Sequence, residues 1–158
     1  GLCLARKLAV LGANLVLLDR ESSNLDALKL ELGREYSTKC VSVACDLESA
    51  SQRAMIPLQI ANSGVESILA LVNNAALGAG VNLDGWMVPF EEQSMETWAR
   101  VMEVNLASCF HLCQILRPFL IKAPNASVLN VGSIYGVSGP DWRLYDELDG
   151  TGNPAAYA

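Results

Sequence analysis

The sequence predicts an α/β fold in which a doubly wound parallel sheet is sandwiched between two helical layers. Two observations carry this. Amphipathic helical stripes alternate with short apolar runs along the whole chain, the order that builds a parallel sheet. The apolar runs also close on polar residues at Asp19, Asp46, Asn73 and Gly132-Ser133, the residue types suited to the carboxyl edge where such sheets bind ligands.

The elements follow in order. Leu4, Leu8 and Leu11, with Ala5 and Ala9 beside them, form a helical stripe that predicts a helix over 2–11, with Gly12 just past its end. Asn14-Leu15-Val16-Leu17-Leu18 is a short apolar run fitting a buried strand. Ser22 and Ser23 can cap a second helix carrying Leu25, Leu28 and Leu32, with Gly33 to end it. Val41, Val43 and Cys45 alternate through a strand over 39–45. A third helix is expected over 49–62, kinked or divided by Pro57. The third strand covers 67–72 and runs into Asn73-Asn74-Ala75-Ala76. After a longer connection over 77–93, Ser94 caps the longest helix, over 95–116. A fourth strand over 126–131 leads to Gly132-Ser133, and 136–156, rich in Gly, Pro and Asp, reads as a loop. With no internal repeat and no linker, residues 1–158 read as one domain.

Composition narrows the function. With 51% hydrophobic residues in 158, the chain can bury a sizeable core. Its 17 acidic residues against 11 Lys+Arg give a net charge of −6, which argues against a nucleic-acid surface. No apolar run approaches the roughly 20 residues that span a bilayer, and the Leu-rich start ends in Asp19-Arg20 without a cleavage site, so neither a membrane span nor a signal peptide is expected. The five cysteines form no CxxC pair and read as reduced thiols of a cytoplasmic protein. Cys109, His111 and Cys113 do not make a metal site, because on a helix His111 points about 200° away from Cys109.

Asp19 lies 18 positions after Gly1, close to the spacing between a phosphate-binding glycine turn and a ribose-binding acid. A carboxylate there accepts hydrogen bonds from both adenosine ribose hydroxyls and repels a 2′-phosphate, which favours NAD. Arg20 keeps NADP open, since its guanidinium can meet that phosphate. Alone, Asp19 is an ordinary turn acid, and Asp46 an ordinary helix cap; their places in the order set them apart. Ser133 does not sit in a Gly-x-Ser-x-Gly elbow, and the sole histidine, His111, lies inside the long helix, so a serine hydrolase is disfavoured.

Taken together, Gly1, Asp19, Asp46-Leu47, Asn73-Asn74-Ala75-Ala76, Asn105, Ser133 and Tyr157 resemble the short-chain dehydrogenase/reductase family over essentially the whole chain. The resemblance implies a Rossmann-type, three-layer α/β/α domain, incomplete here, with its first strand and C-terminal elements outside the chain. It implies that Gly1 is the last glycine of the phosphate-binding turn and that Asp46-Leu47 holds the adenine edge. Asn74 and Ala75 would line the cofactor's ribose side, with Asn73 fastening adjacent strands. Ala76 stands where the family has glycine, and would resist a positive φ.

For catalysis the resemblance implies that Asn105 holds a relay water, Ser133 polarises the substrate oxygen, and Tyr157 exchanges its proton and meets the nicotinamide ribose. A free phenol has a pKa near 10, so this needs the family's lysine four residues on, beyond Ala158. The chain by itself is therefore expected to be inactive. Ser133 and Tyr157 are farther apart than is usual in the family. Asp141, Trp142, Arg143 and Tyr145 in between suit a sugar or sugar-acid substrate, with a solvated loop as the alternative. The expected protein is an oxidoreductase moving hydride between NAD or NADP and an alcohol or ketone. A non-catalytic NAD(P)-binding regulatory relative is the other reading. Trp98, Phe110 and Leu116 are expected to pack against a second copy in a homodimer or homotetramer.

Overall fold

The computed structural model describes residues 1–20, 24–78, 83–139, 141, 143 and 154–157, with the backbone alone for Tyr157. The expected Ser22 and Ser23 caps lie outside the described residues, as does most of 136–156.

Helices and strands alternate as α1 (Leu2–Val10), β1 (Leu15–Asp19), α2 (Leu25–Tyr36), β2 (Cys40–Ala44), α3 (Ala50–Asn62) and β3 (Ala70–Asn73). Next come α4 (Met95–Met102), a π-turn over Glu103–Ala107, α5 (Ser108–Leu120) and β4 (Ser127–Asn130). β1 and β2 pair in parallel from Leu15↔Cys40 to Asp19↔Ala44, and β3 and β4 from Ala70↔Ser127 to Asn73↔Asn130. In both pairs the strand ends that carry Asp19 and Asn73 are carboxyl ends.

The period-2 alternation of β1 builds the layers. Leu17 faces one way, into a core with Ala5, Ala9 and Leu32 from α1 and α2. Val16 and Leu18 face the other, against Val43, Ile56, Ile60 and Leu112 from β2, α3 and α5. β1-β2 thus carries helices on both faces, as the predicted doubly wound arrangement requires, while among the described residues β3-β4 forms a separate two-stranded sheet in which β4 is exposed along its length.

Several local expectations are corrected, each by burial overriding local propensity. Gly33 does not end α2; the helix continues to Tyr36 and Ser37 takes the left-handed conformation at φ 55°. Pro57 does not divide α3. It removes one backbone bond and disfavours the helix by about 3 kcal/mol, but Ile56 and Ile60, which flank it, are fully buried, and each contributes roughly 1.5–3 kcal/mol. The long helix passes through Pro118 to Leu120 for the same reason, with Phe119 and Leu120 buried. Leu116 belongs to the core, whereas Trp98 and Phe110 are exposed. Ser94 caps α4 as expected, its hydroxyl accepting from the Thr97 N–H at 3.2 Å. No helix among the described residues is long and apolar enough to cross a membrane.

Candidate active site

The carboxyl edge is assembled from the ends of β1 and β2 on one side and β3 and β4 on the other. The Asp19 main-chain oxygen accepts from Cys45 N–H at 2.8 Å, which holds the two strand ends level. One oxygen of its exposed carboxylate accepts from Arg20 N–H at 2.7 Å. Asp46 closes the next turn: its carboxylate accepts from Glu48 N–H at 2.9 Å, and its own N–H donates to Gln52 Oε1 at 2.8 Å. The cap of α3 is Ser49 rather than Asp46, accepting from Gln52 N–H at 3.3 Å. The Leu47 carbonyl is taken by the Arg53 guanidinium.

Asn73 Nδ2 donates to Asn130 Oδ1 at 2.7 Å, linking β3 to β4 through side chains as well as backbone. Its Oδ1 is buried without a partner. Asn74 approaches the start of α1 so closely that a Cβ at Gly1 would lie 3.6 Å from Asn74 Nδ2. Ala75 and Ala76 are exposed. Ala76 does not take a positive φ, whereas Gly78, two residues on, does.

Asn105 lies in the π-turn, where the helix widens by one residue. Both ends of its amide are used on Leu77: Oδ1 accepts from Leu77 N–H at 2.7 Å and Nδ2 donates to the Leu77 carbonyl at 3.0 Å. The long helix is thereby joined to the turn that follows Asn73-Asn74. Ser133, half-buried just past β4, accepts from Tyr135 N–H at 3.2 Å. Tyr157 ends a short 3-10 turn, Ala155–Tyr157. Ala155 N–H donates to Gln93 Oε1 at 3.1 Å, and Ala156 is buried against Trp86 and Val101. The Tyr157 side chain lies outside the described residues, so its distances to Ser133 and Asn105 do too.

Sequence reasoning passed over Arg53, which joins the Leu47 turn to Glu103 and His111. A signal was present, because Arg53, Ile56 and Ile60 stand at i, i+3 and i+7, on one buried face. Gln93 and Leu77 were also missed; the second acts through its backbone and leaves no mark in side-chain patterns. Among the described residues no three His, Cys, Asp or Glu side chains group so as to hold a metal. Burial pushes the Cys109 thiol pKa up, which keeps it protonated.

These residues fit a dinucleotide. The start of α1 at Gly1 offers backbone N–H groups of the kind that hold a pyrophosphate. The Asp19 carboxylate offers acceptors for ribose hydroxyls, and Asn74 lies beside Gly1.

Residues 1–146 match the short chain dehydrogenase family model, and the chain belongs to that family. It is 30% identical to a tropinone reductase homologue of Arabidopsis thaliana over 152 residues, covering 87% of this chain and 53% of the relative. Among solved structures it resembles a metagenomic short-chain oxidoreductase in complex with NADP, with 28% identity and a TM-score of 0.76. That match covers 99% of this chain and 62% of the other. It also resembles NAD+-bound xylitol dehydrogenase, with 26% identity, a TM-score of 0.75, and 99% and 53% covered. The chain spans about half the length of the curated relatives it matches.

Proposed function

We propose that the protein containing this chain is a nicotinamide-dependent oxidoreductase that interconverts an alcohol and a ketone. The observation that carries the reading is the position of Asp19, Asp46, Asn73-Asn74 and Ser133 at or just past the carboxyl ends of parallel strands, with Asn105 bonded to the turn after β3. Gly1, Asp19, Arg20, Asp46, Leu47, Asn73, Asn74 and Ala75 form the cofactor side. The nicotinamide nucleotide, when bound, supplies hydride transfer. Ser133 donates a hydrogen bond to the substrate oxygen, Tyr157 gives or takes its proton, and Asn105 orders the relay behind it. The Asp19 carboxylate makes NAD the favoured cofactor over NADP.

A polyol, sugar or sugar acid is the substrate class we favour, supported by the likeness to xylitol dehydrogenase and by the polar and aromatic residues between Asp141 and Asp149. The exposed Phe110, Leu106 and Trp98 suit packing against a second copy in a cytoplasmic homodimer or homotetramer.

The test is to express the complete protein, screen polyols and sugar acids with NAD and NADP, and compare Tyr157→Phe. Turnover with NAD ahead of NADP, reduced about 10²-fold or more in the variant, is the expected result. An unchanged rate in Tyr157→Phe overturns the mechanism, and nucleotide binding without turnover of any alcohol would favour the regulatory reading instead.

A further inference from the structure

Among the described residues Arg53 is the one charged side chain in the buried interior, at 3% exposure, and no role assigned above uses it. It projects from the first turns of α3 and reaches three other segments at once. One guanidinium nitrogen donates to the Leu47 carbonyl, a second forms an ion pair with Glu103, and Nε donates to His111 Nδ1 at 3.1 Å. A planar guanidinium sends its N–H groups along fixed directions in one plane, so all three partners are held in one geometry. A lysine ammonium in the same place has charge without that fork. A buried cation also needs a charged partner to offset its desolvation, and Glu103 is that partner.

The two ends of this clamp lie on the two halves of the candidate site. Leu47 follows Asp46 in the turn after β2. Glu103 is the first residue of the π-turn, two positions before Asn105. A π-turn is a rare alternative to the α-helical ladder. Slipping back by one residue would rotate Asn105 about 100° around the axis, away from the Leu77 N–H and carbonyl it now bonds. An ion pair from outside the helix, at the residue where the wide turn begins, holds the widened register.

We propose that Arg53 is a positioning residue that fixes the nucleotide-side turn at Asp46-Leu47 relative to the π-turn presenting Asn105. The kinetic side of this rests on the oxidoreductase reading; the structural side stands on the clamp geometry alone.

The experiment uses the complete protein with Arg53→Met, Arg53→Lys, Glu103→Leu and the Arg53→Met/Glu103→Leu pair. The structural readout is amide hydrogen exchange at Leu77, whose N–H is held by Asn105, with Val43 in β2 as the internal reference. Arg53→Met and Glu103→Leu should each speed Leu77 exchange about tenfold or more relative to Val43, with the pair adding little to either alone. Arg53→Lys should recover part of the protection. In kinetics, Arg53→Met should raise the KM for NAD or NADP and lower kcat together, leaving the KM for the alcohol near its starting value. Unchanged Leu77 exchange with only a lowered melting temperature would overturn the proposal and leave Arg53 a structural residue. If Arg53→Met does not fold, Arg53→Lys and Glu103→Leu, whose site is partly exposed, decide the same question. A wild-type protein inactive with every nicotinamide nucleotide would sink the oxidoreductase reading, while the exchange result would still judge the clamp.

Discussion

Gly85→Ala is the substitution whose cost the structure specifies most fully. Gly85 sits at φ +60°, and a Cβ there would come within 2.6 Å of Ser94 Cβ and 2.9 Å of Ser94 N. The left-handed backbone alone disfavours alanine by about 1–2 kcal/mol. The clash adds to this, because its relief must move the Ser94 backbone. Such a shift stretches the 3.0 Å bond from Ser94 N–H to the Gly85 carbonyl and displaces the hydroxyl that caps α4. A hydrogen bond and a cap contribute about 1 kcal/mol each, so the total loss is about 3–4 kcal/mol. At roughly 2–4 °C per kcal/mol for a domain of this size, the melting temperature should fall by about 6–16 °C. Gly12→Ala is the matched control: its φ is +83° but nothing lies within 4 Å of the added methyl, so only the backbone cost applies. Urea unfolding followed by fluorescence reads both, since Trp86, next to Gly85, is buried and reports on this corner. Equal losses in the two variants would refute the steric argument.

Two further predictions concern the site and its surroundings. Asn105→Ala strips Leu77 of both its side-chain partners and should cost about 1–3 kcal/mol, with catalysis by the complete protein lowered as well; an unfolding midpoint equal to wild type would show that the paired bonds contribute nothing. For the thiols, burial and the neighbouring Asp46 charge raise the Cys45 pKa and its side chain is only 2% exposed, whereas Cys3 is exposed. Iodoacetamide should therefore label Cys3 at least about tenfold faster, and peptide mapping that finds equal rates would exclude this.

Much of the fold was legible because its signals are local. The apolar run before Asp19 and the 3.6-residue stripes of α1 and α2 gave element types that the structure keeps. Departures occur where distant packing decides. The third strand was expected from residue 67 but starts at Ala70, because Ile68 N–H is drawn to the Phe119 carbonyl at the end of α5. Gly33, Pro57 and Pro118 carry breaker signals that core burial overrides. The π-turn has no compositional signature, since one extra residue in a helical turn changes backbone bonding and leaves the apolar stripe nearly intact. At the site, Asp19, Asp46 and Asn73-Asn74 were readable as polar residues closing apolar runs. The partner of Asn105 was not, being main chain, and neither was the clamp around Arg53, which depends on residues 50 and 58 positions away in the sequence.

The two parallel pairs also imply an order of assembly. β1 meets β2 across a separation of 25 residues, while β3 meets β4 across 57. Closing the longer loop costs about 0.7 kcal/mol more in chain entropy, and its crossover must first wind α4, the π-turn and α5 into one run before Asn73 can find Asn130. The nucleotide-side half of the edge is thus set to form first during folding, and the half bearing Asn105 and Ser133 to close upon it.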